Sequence, residues 1–391
     1  MRNVSNQALQ GFRSLQSGQS VDAIRHFQEG LASDPNDEGC LLGMARVRLL
    51  EDDARAATSF LQRLVKANPD HSEGHSHLAL IRFREGEAYA LSNLRRLAAA
   101  PDSGVYERLN LGKALSWSGD ASGAEAAFQA ACAAEPKSPF PRMEAAEAAL
   151  ARGEPAAAVR HLEAAVKLAP NEVVILGMLA RAHRETDNLA QAVAVLDRAS
   201  ALAPQDPSIL EERYDVAELL GAWKDARAVA TRLVKLDGTS ADYRYMLARA
   251  LANDGQPAEA RALLEVLAKE QPGSPEVRQV LAEVLGLLGD QAGALKHLEE
   301  AVRLEPSDPG PANDLANLYL NQPGGKPKVR KVLEPVLARY PDDAVTHYNL
   351  ALSLVDSDKA AARLHAEVAE RCGDPWLSKE AARLRQALMK G

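Results

Sequence analysis

The sequence predicts an all-α solenoid of about eleven helix pairs followed by one more helix, and three observations carry that prediction. The first is composition. The 391 residues are 46% hydrophobic but only 4% aromatic, so the apolar content is largely Ala and Leu, strong helix formers, and long β-sandwiches and barrels are poor candidates. The second is a period. Pro35, Pro69, Pro101, Pro136, Pro170, Pro204, Pro272, Pro306, Pro341 and Pro375 recur every 32 to 35 residues, and one double step of 68 holds Gly238 midway. The third is a pair of small-residue columns in phase with these anchors.

The first helix of each unit carries Gly11, Ala45, Gly112, Ala146, Ala180, Ala248, Ala282 and Ala351, 24 residues before an anchor, with Ala79 and Ala316 in the same role. Tyr214 departs from that column. Two antiparallel helices approach closely only where a small residue lets one backbone sit near the other. Turn signals then stop the first helix, as at Ser17-Gly18-Gln19, Ser118-Gly119-Asp120, Asp254-Gly255-Gln256 and Leu288-Gly289-Asp290. The second helix carries Ala23, Ala57, Ala124, Ala158, Ala192, Ala226, Ala260 and Ala294 twelve residues before the anchor, with exceptions at Tyr89, Val329 and Arg363. Phe27, Leu61, Phe128, Leu162, Leu196, Leu264, Leu298 and Leu333 recur eight before it and read as core. The anchor proline ends that helix. Beyond the last anchor, Asp374 can cap and Pro375 suits a first turn. Leu377, Ala381, Leu384 and Leu388 share one face, so residues 375–390 read as a solvating terminal helix.

With these residues in view the chain resembles the tetratricopeptide repeat family, whose unit is a helix-turn-helix of 34 residues with two small crossings and a closing proline. Gly112, Ala124, Phe128, Ala131 and Pro136 match it well, as do Ala180, Ala192, Leu196, Ala199 and Pro204. The resemblance covers residues 4 to 375 and implies a right-handed superhelix forming a single domain over residues 1–391. Leu176 and Leu210 stand where the family has a large aromatic, which points to a divergent bacterial-type array.

Charge and motifs narrow the function. Lys and Arg number 46 against 54 Asp and Glu, net −8, so no positive field draws a nucleic-acid backbone. Cys40, Cys132 and Cys372 form no close pair and read as reduced thiols. Neither a signal peptide nor a membrane span is evident, and the simplest location is cytoplasmic. No phosphate-binding glycine loop, Cys-x-x-Cys pair or nucleophile elbow occurs, so neither an enzyme nor a cofactor is expected. His71, His75 and His77 lack a fourth metal ligand, and His26, His161 and His297 repeat one place on the second helix, which argues for structure. The segment Gln322–Lys331 reads as a long solvated turn with four positive charges.

The expected partner is a protein or peptide, with self-association as an alternative. In the family the first helices line a concave groove. Projected onto this sequence, the groove candidates are Phe83, Tyr106, Leu109, Lys113, Phe140 and Met143, then Arg181, Arg184, Glu211, Asp215 and Glu218, then Tyr245, Arg249, Asn313 and Asn317. The first set concentrates bulky residues in a chain with few aromatics and suits anchoring. The charges of the second set would orient a bound helix or extended segment. Asn313, Asn317 and Asn321 stand four apart, as peptide-gripping asparagines do in some family members. Trp117 reads as filler. Self-association would use the apolar stripe Val4, Ala8, Leu9, Phe12 and Leu15. An accessory subunit of a secretion or enzyme complex would use the same groove.

Overall fold

The computed structural model describes residues 5–16 and 18–390; Val4 and Ser17 lie outside them. Two compact units divide the chain at an anchor proline, Met1–Ala203 and Pro204–Gly391. The first holds six helix pairs. They are α1 (Asn6–Gln16) with α2 (Ser20–Ser33), α3 (Glu38–Leu50) with α4 (Ala54–Ala67), and α5 (Ser72–Arg84) with α6 (Ala90–Ala98). Then come α7 (Val105–Trp117) with α8 (Ala121–Ala134), α9 (Phe140–Ala151) with α10 (Pro155–Leu168), and α11 (Val173–Glu185) with α12 (Leu189–Leu202). The second unit holds α13 (Pro207–Leu219) with α14 (Trp223–Leu236), α15 (Ala241–Asn253) with α16 (Pro257–Glu270), and α17 (Pro275–Leu287) with α18 (Gln291–Leu304). It continues with α19 (Pro309–Leu320) and α20 (Lys326–Arg339), α21 (Ala344–Leu354) and α22 (Lys359–Glu370), and a lone α23 (Pro375–Lys390). All the regular structure among the described residues is helical, in eleven pairs and a final helix.

Local chemistry sets the helix ends. Asp53, Asp120 and Asp290 accept hydrogen bonds from the backbone N–H groups of Ala56, Gly123 and Gly293 at 2.8–2.9 Å, which satisfies donors that the first turn leaves orphaned. Between the helices of the first ten pairs the chain passes through a left-handed residue, whereas among the described residues none is present between α21 and α22. Gly119 and Gly289 take it at φ +83° and +82°, and Asp52 and Asp187 hold the same place at +55° and +59°, tolerable because a short polar side chain accepts that region better than most. In three repeats the guanidinium groups of Arg63, Arg198 and Arg232, each six residues before an anchor, donate to the carbonyl oxygens of the preceding anchors Pro35, Pro170 and Pro204.

The core is the predicted columns. Ala23, Phe27, Ala45, Leu61, Ala124, Phe128, Ala180 and Leu196 are buried in the first unit, and Ala248, Leu264, Ala282 and Leu298 in the second. Val329 is fully buried in place, and the other two second-helix exceptions resolve by a one-residue shift. Where Tyr89 and Arg363 break the second-helix column, the adjacent Ala90 and Ala362 are fully buried instead. Tyr214 is buried with Ala230 in one cluster and donates from its hydroxyl to the Met246 carbonyl at 3.0 Å. α23 seals the last pair with Leu377, Ala381 and Leu388 buried, and Asp374 accepts from the Leu377 N–H at 2.6 Å.

The long turn expected before α20 is shorter than its sequence suggested. Pro327 lies in the first turn of α20, where its missing N–H removes no helix bond, so the helix starts at Lys326 and only residues 321–325 are turn. Three of its four cations are engaged: Lys326 pairs with Asp356 at 2.6 Å, Arg330 pairs with Glu334 at 2.8 Å, and Lys328 lies 4.9 Å from the Tyr319 ring centre.

Candidate protein-binding face

On the first helices of the first unit, Arg46 of α3 sits at the centre of a polar and aromatic network. Its guanidinium donates to Glu73 Oε1 on α5 at 3.0 and 2.5 Å and lies over two rings, 3.8 Å from the Tyr106 centroid and 5.3 Å from Phe12. His77 Nε2 lies 3.3 Å from the same carboxylate, and its Nδ1 lies 3.2 Å from the Asn110 amide nitrogen, which also donates to Ser76 Oγ at 2.9 Å. Since the amide N–H can only donate, His77 Nδ1 is the acceptor and Nε2 carries the hydrogen toward Glu73. Burial pushes the Glu73 carboxyl up, but the His77 hydrogen bond and the Arg46 charge outweigh it and hold that carboxyl below its ordinary range. The Tyr106 hydroxyl is raised, chiefly by burial. An open cleft of about 470 Å³ lies here, lined by Arg46, Glu73, Gly104, Tyr106, Glu107 and Glu135.

The anchoring set divides. The Tyr106 and Phe140 rings lie 5.7 Å apart, partly exposed. Phe83 and Met143 are also partly exposed, and Lys113 pairs with Glu144. Leu109 is different. It is 1% exposed, inside the core cluster that contains Ala124 and Phe128, because it points down to the second helix; it is withdrawn as an anchor. Trp117, expected as filler, is 50% exposed at the end of α7, with the Arg84 guanidinium 5.7 Å from its ring centre. Of the apolar stripe in α1, Ala8 is buried, Phe12 packs edge-on to Phe27 at 5.2 Å, and Leu9 is exposed. The three neighbouring histidines go to separate partners: His71 accepts from the Gly74 N–H, His75 meets the Pro69 carbonyl, and His77 meets Glu73.

The charges expected to orient a partner fall on both units. In the first, Arg181 pairs with Glu185 at 2.9 Å along its own helix, and Arg184 has an interaction of its own. In the second, Asp215 is likewise engaged, Glu211 accepts from the Tyr243 hydroxyl at 2.6 Å, and Glu218 pairs with Arg249 at 2.5 Å. Burial raises the Tyr245 hydroxyl beside Arg249. The asparagine trio is not a gripping ladder. Asn313 is 6% exposed, donates to Thr346 Oγ1 at 3.0 Å and accepts from the Asn349 amide at 2.9 Å, so its polar groups are used inside the stack. Asn317 is exposed and lines a second cleft, and Asn321 donates to the Asn317 carbonyl.

Arg46 and Asn110 have no place in the sequence reading and His77 enters it only beside His71 and His75 as a metal candidate, yet a register signal existed for the network. Ser76 and Asn313 each stand three residues before a small-column residue, and their partners Asn110 and Asn349 each stand two before the next one. Arg46 follows the small residue directly. That column reads Arg46, Leu80, Lys113, Glu147, Arg181, Asp215, Arg249, Glu283 and Asn317, and from Lys113 to Glu283 its charges alternate in sign.

Tetratricopeptide repeat models match residues 14–81, 149–211, 219–284 and 275–300, about half of the chain. The chain belongs to the tetratricopeptide repeat family. Among solved tetratricopeptide folds, yeast Tom70 aligns over 98% of this chain and 95% of its own, at 15% identity and a TM-score of 0.52. A tetratricopeptide repeat protein from Parabacteroides merdae aligns over 64% of this chain and 98% of its own, at 18% identity and a TM-score of 0.54. These likenesses are of fold. Cellulose synthase 1 operon protein C of Komagataeibacter xylinus is 26% identical over 238 residues, 53% of this chain but 17% of that relative's length. Among the described residues of this tetratricopeptide protein, no helix is long and apolar enough to cross a membrane, and no three side chains are grouped to hold a metal ion.

Proposed function

We propose that the protein is a non-catalytic interaction scaffold that holds a helix or extended segment of a partner protein against its first helices. One observation carries this reading. Phe83, Tyr106, Phe140 and Met143 stay partly exposed on α5, α7 and α9, with Tyr106 lining a cleft, in a chain that is only 4% aromatic. Aromatic and Met side chains give large contact area at small entropic loss, and the fixed network around Arg46 holds Tyr106 in place before a partner arrives, which lowers the ordering loss on binding.

The relative named for a cellulose synthase operon is compatible with an accessory subunit that uses the same face. The test is affinity purification of the full-length protein from its native host beside a Phe140→Ala/Met143→Ala variant of matched circular dichroism and urea midpoint. The expected result is a partner retained by the wild type and reduced at least about tenfold with the variant, the loss of about 1.4 kcal/mol or more of contact. Equal recovery by both removes this face from the reading.

A further inference from the structure

The alternating column on the first helices ends unbalanced in the second unit. Arg249 is matched by Glu218 at 2.5 Å. Glu283, the next member, has no ion pair or hydrogen bond among the described residues, and its successor is Asn317 rather than a cation. The carboxylate beside it, Asp314, receives only the Gln279 amide at 2.8 Å. Both carboxylates line a cleft of about 450 Å³ between α17 and α19, whose floor is apolar: Ala282, Leu298 and Leu318. Gly286 opens the same cleft. It sits in the last turn of α17 with no positive φ to require glycine, and a Cβ there would meet nothing within 4 Å, so the space beside it is unused by the fold.

Two exposed carboxylates side by side at the mouth of a cleft repel one another, and a cation placed between them relieves that repulsion. Partial desolvation and then Asp314 raise the Glu283 carboxyl above its ordinary range against the lowering charge of Arg249, and desolvation raises Asp314 against the lowering bond from Gln279. Two carboxylates and amides over an aliphatic floor complement a long cationic side chain, whose methylene stem covers apolar surface while its head meets the charge.

We propose that this cleft binds a lysine- or arginine-bearing segment of a partner protein, with an aliphatic residue one helical turn away seated beside Gly286. The proposal rests on the scaffold reading and names the partner chemistry at a second place on the molecule. The test uses the full-length chain and fluorescence anisotropy with three labelled peptides: one with Leu and Lys paired one turn apart, one with Glu for each Lys, and one with Ser for each Leu. The Lys/Leu peptide is expected to bind, and both controls to bind at least about tenfold more weakly. Glu283→Gln and Asp314→Asn should each weaken it severalfold and the pair about tenfold or more. Gly286→Leu should block it by filling the cleft while both carboxylates remain. Glu283→Gln also removes a repelled charge, so its thermal midpoint should be unchanged or higher, which separates lost binding from lost fold. Equal binding of the Glu peptide, unchanged binding by the double variant, or no binding by the wild type overturns the proposal. If the host partner is still captured by the Glu283→Gln/Asp314→Asn chain but lost with the Phe140→Ala/Met143→Ala chain, the cleft proposal fails and the scaffold stands.

Discussion

Sixteen residues separate the two side chains that set the spacing inside a helix pair, and their sizes trade against each other. Phe27 and Phe128 face glycines: a Cβ on Gly11 would lie 2.3 Å from the Phe27 ring, and one on Gly112 would lie 2.9 Å from Phe128. Leu196, Leu264 and Leu298 pair with Ala180, Ala248 and Ala282. Tyr214 breaks the small column, and its counterpart is Ala230, both within one buried cluster. The departure therefore conserves volume, as close-packed interiors demand. Tyr214→Ala should destabilise the chain by about 3–5 kcal/mol through its cavity and the lost hydrogen bond to the Met246 carbonyl. Ala230→Leu alone should overpack, at about 1–3 kcal/mol. Combined, the two should lose clearly less than their sum, a coupling of about 1–3 kcal/mol in a double-mutant cycle by urea denaturation. Additive losses would show that the two positions do not share one volume.

Helix against helix, α21 and α22 are joined by two histidines. His347 Nε2 lies 2.8 Å from the Pro341 carbonyl, so it carries the hydrogen there, which leaves Nδ1 to accept from His365 Nδ1 at 2.8 Å. Burial, and then the His347 ring and the Arg330 charge from α20, push the His365 pKa below its ordinary value of 6.5. The folded chain therefore binds fewer protons at this group than the unfolded one, so stability is complete above about pH 6.5 and falls as pH drops from there toward the lower folded value. Hydrogen exchange in α21 and α22 should accelerate between neutral pH and pH 5.5, after correction for intrinsic exchange, and His365→Gln should flatten the change. Burial lowers His183 and His297 in the same direction, so a global melting curve would mix the three and the local readout is required. An unchanged pH response in the His365→Gln chain would assign the effect elsewhere.

Across the whole molecule, what could be read in advance follows sequence distance. The helix pair is set by side chains within one unit, such as Ala180 and Leu196, and these recur in phase, so the array was legible down to the final helix. Length changes blurred it only by single residues, as at Ala90 and Ala362. The face was legible as a set of candidates but not as contacts. Arg46 meets Glu73, Asn110 meets His77 and Asn349 meets Asn313 across neighbouring repeats, and many polar residues share each spacing. Only the depth of each side chain separates a proposed anchor such as Phe140 from a core residue such as Leu109. The same locality governs stability, because in a repeat array each unit packs mainly on its neighbours and free energy is close to a sum of local terms. Leu264 is fully buried on α16, and Leu264→Ala should remove about 2–5 kcal/mol. By hydrogen exchange with mass spectrometry the loss should appear in α15 to α18, with exchange in α1 to α8 unchanged. Uniform acceleration through all described helices would mean that the chain unfolds as one cooperative body, and the local-sum argument would fail.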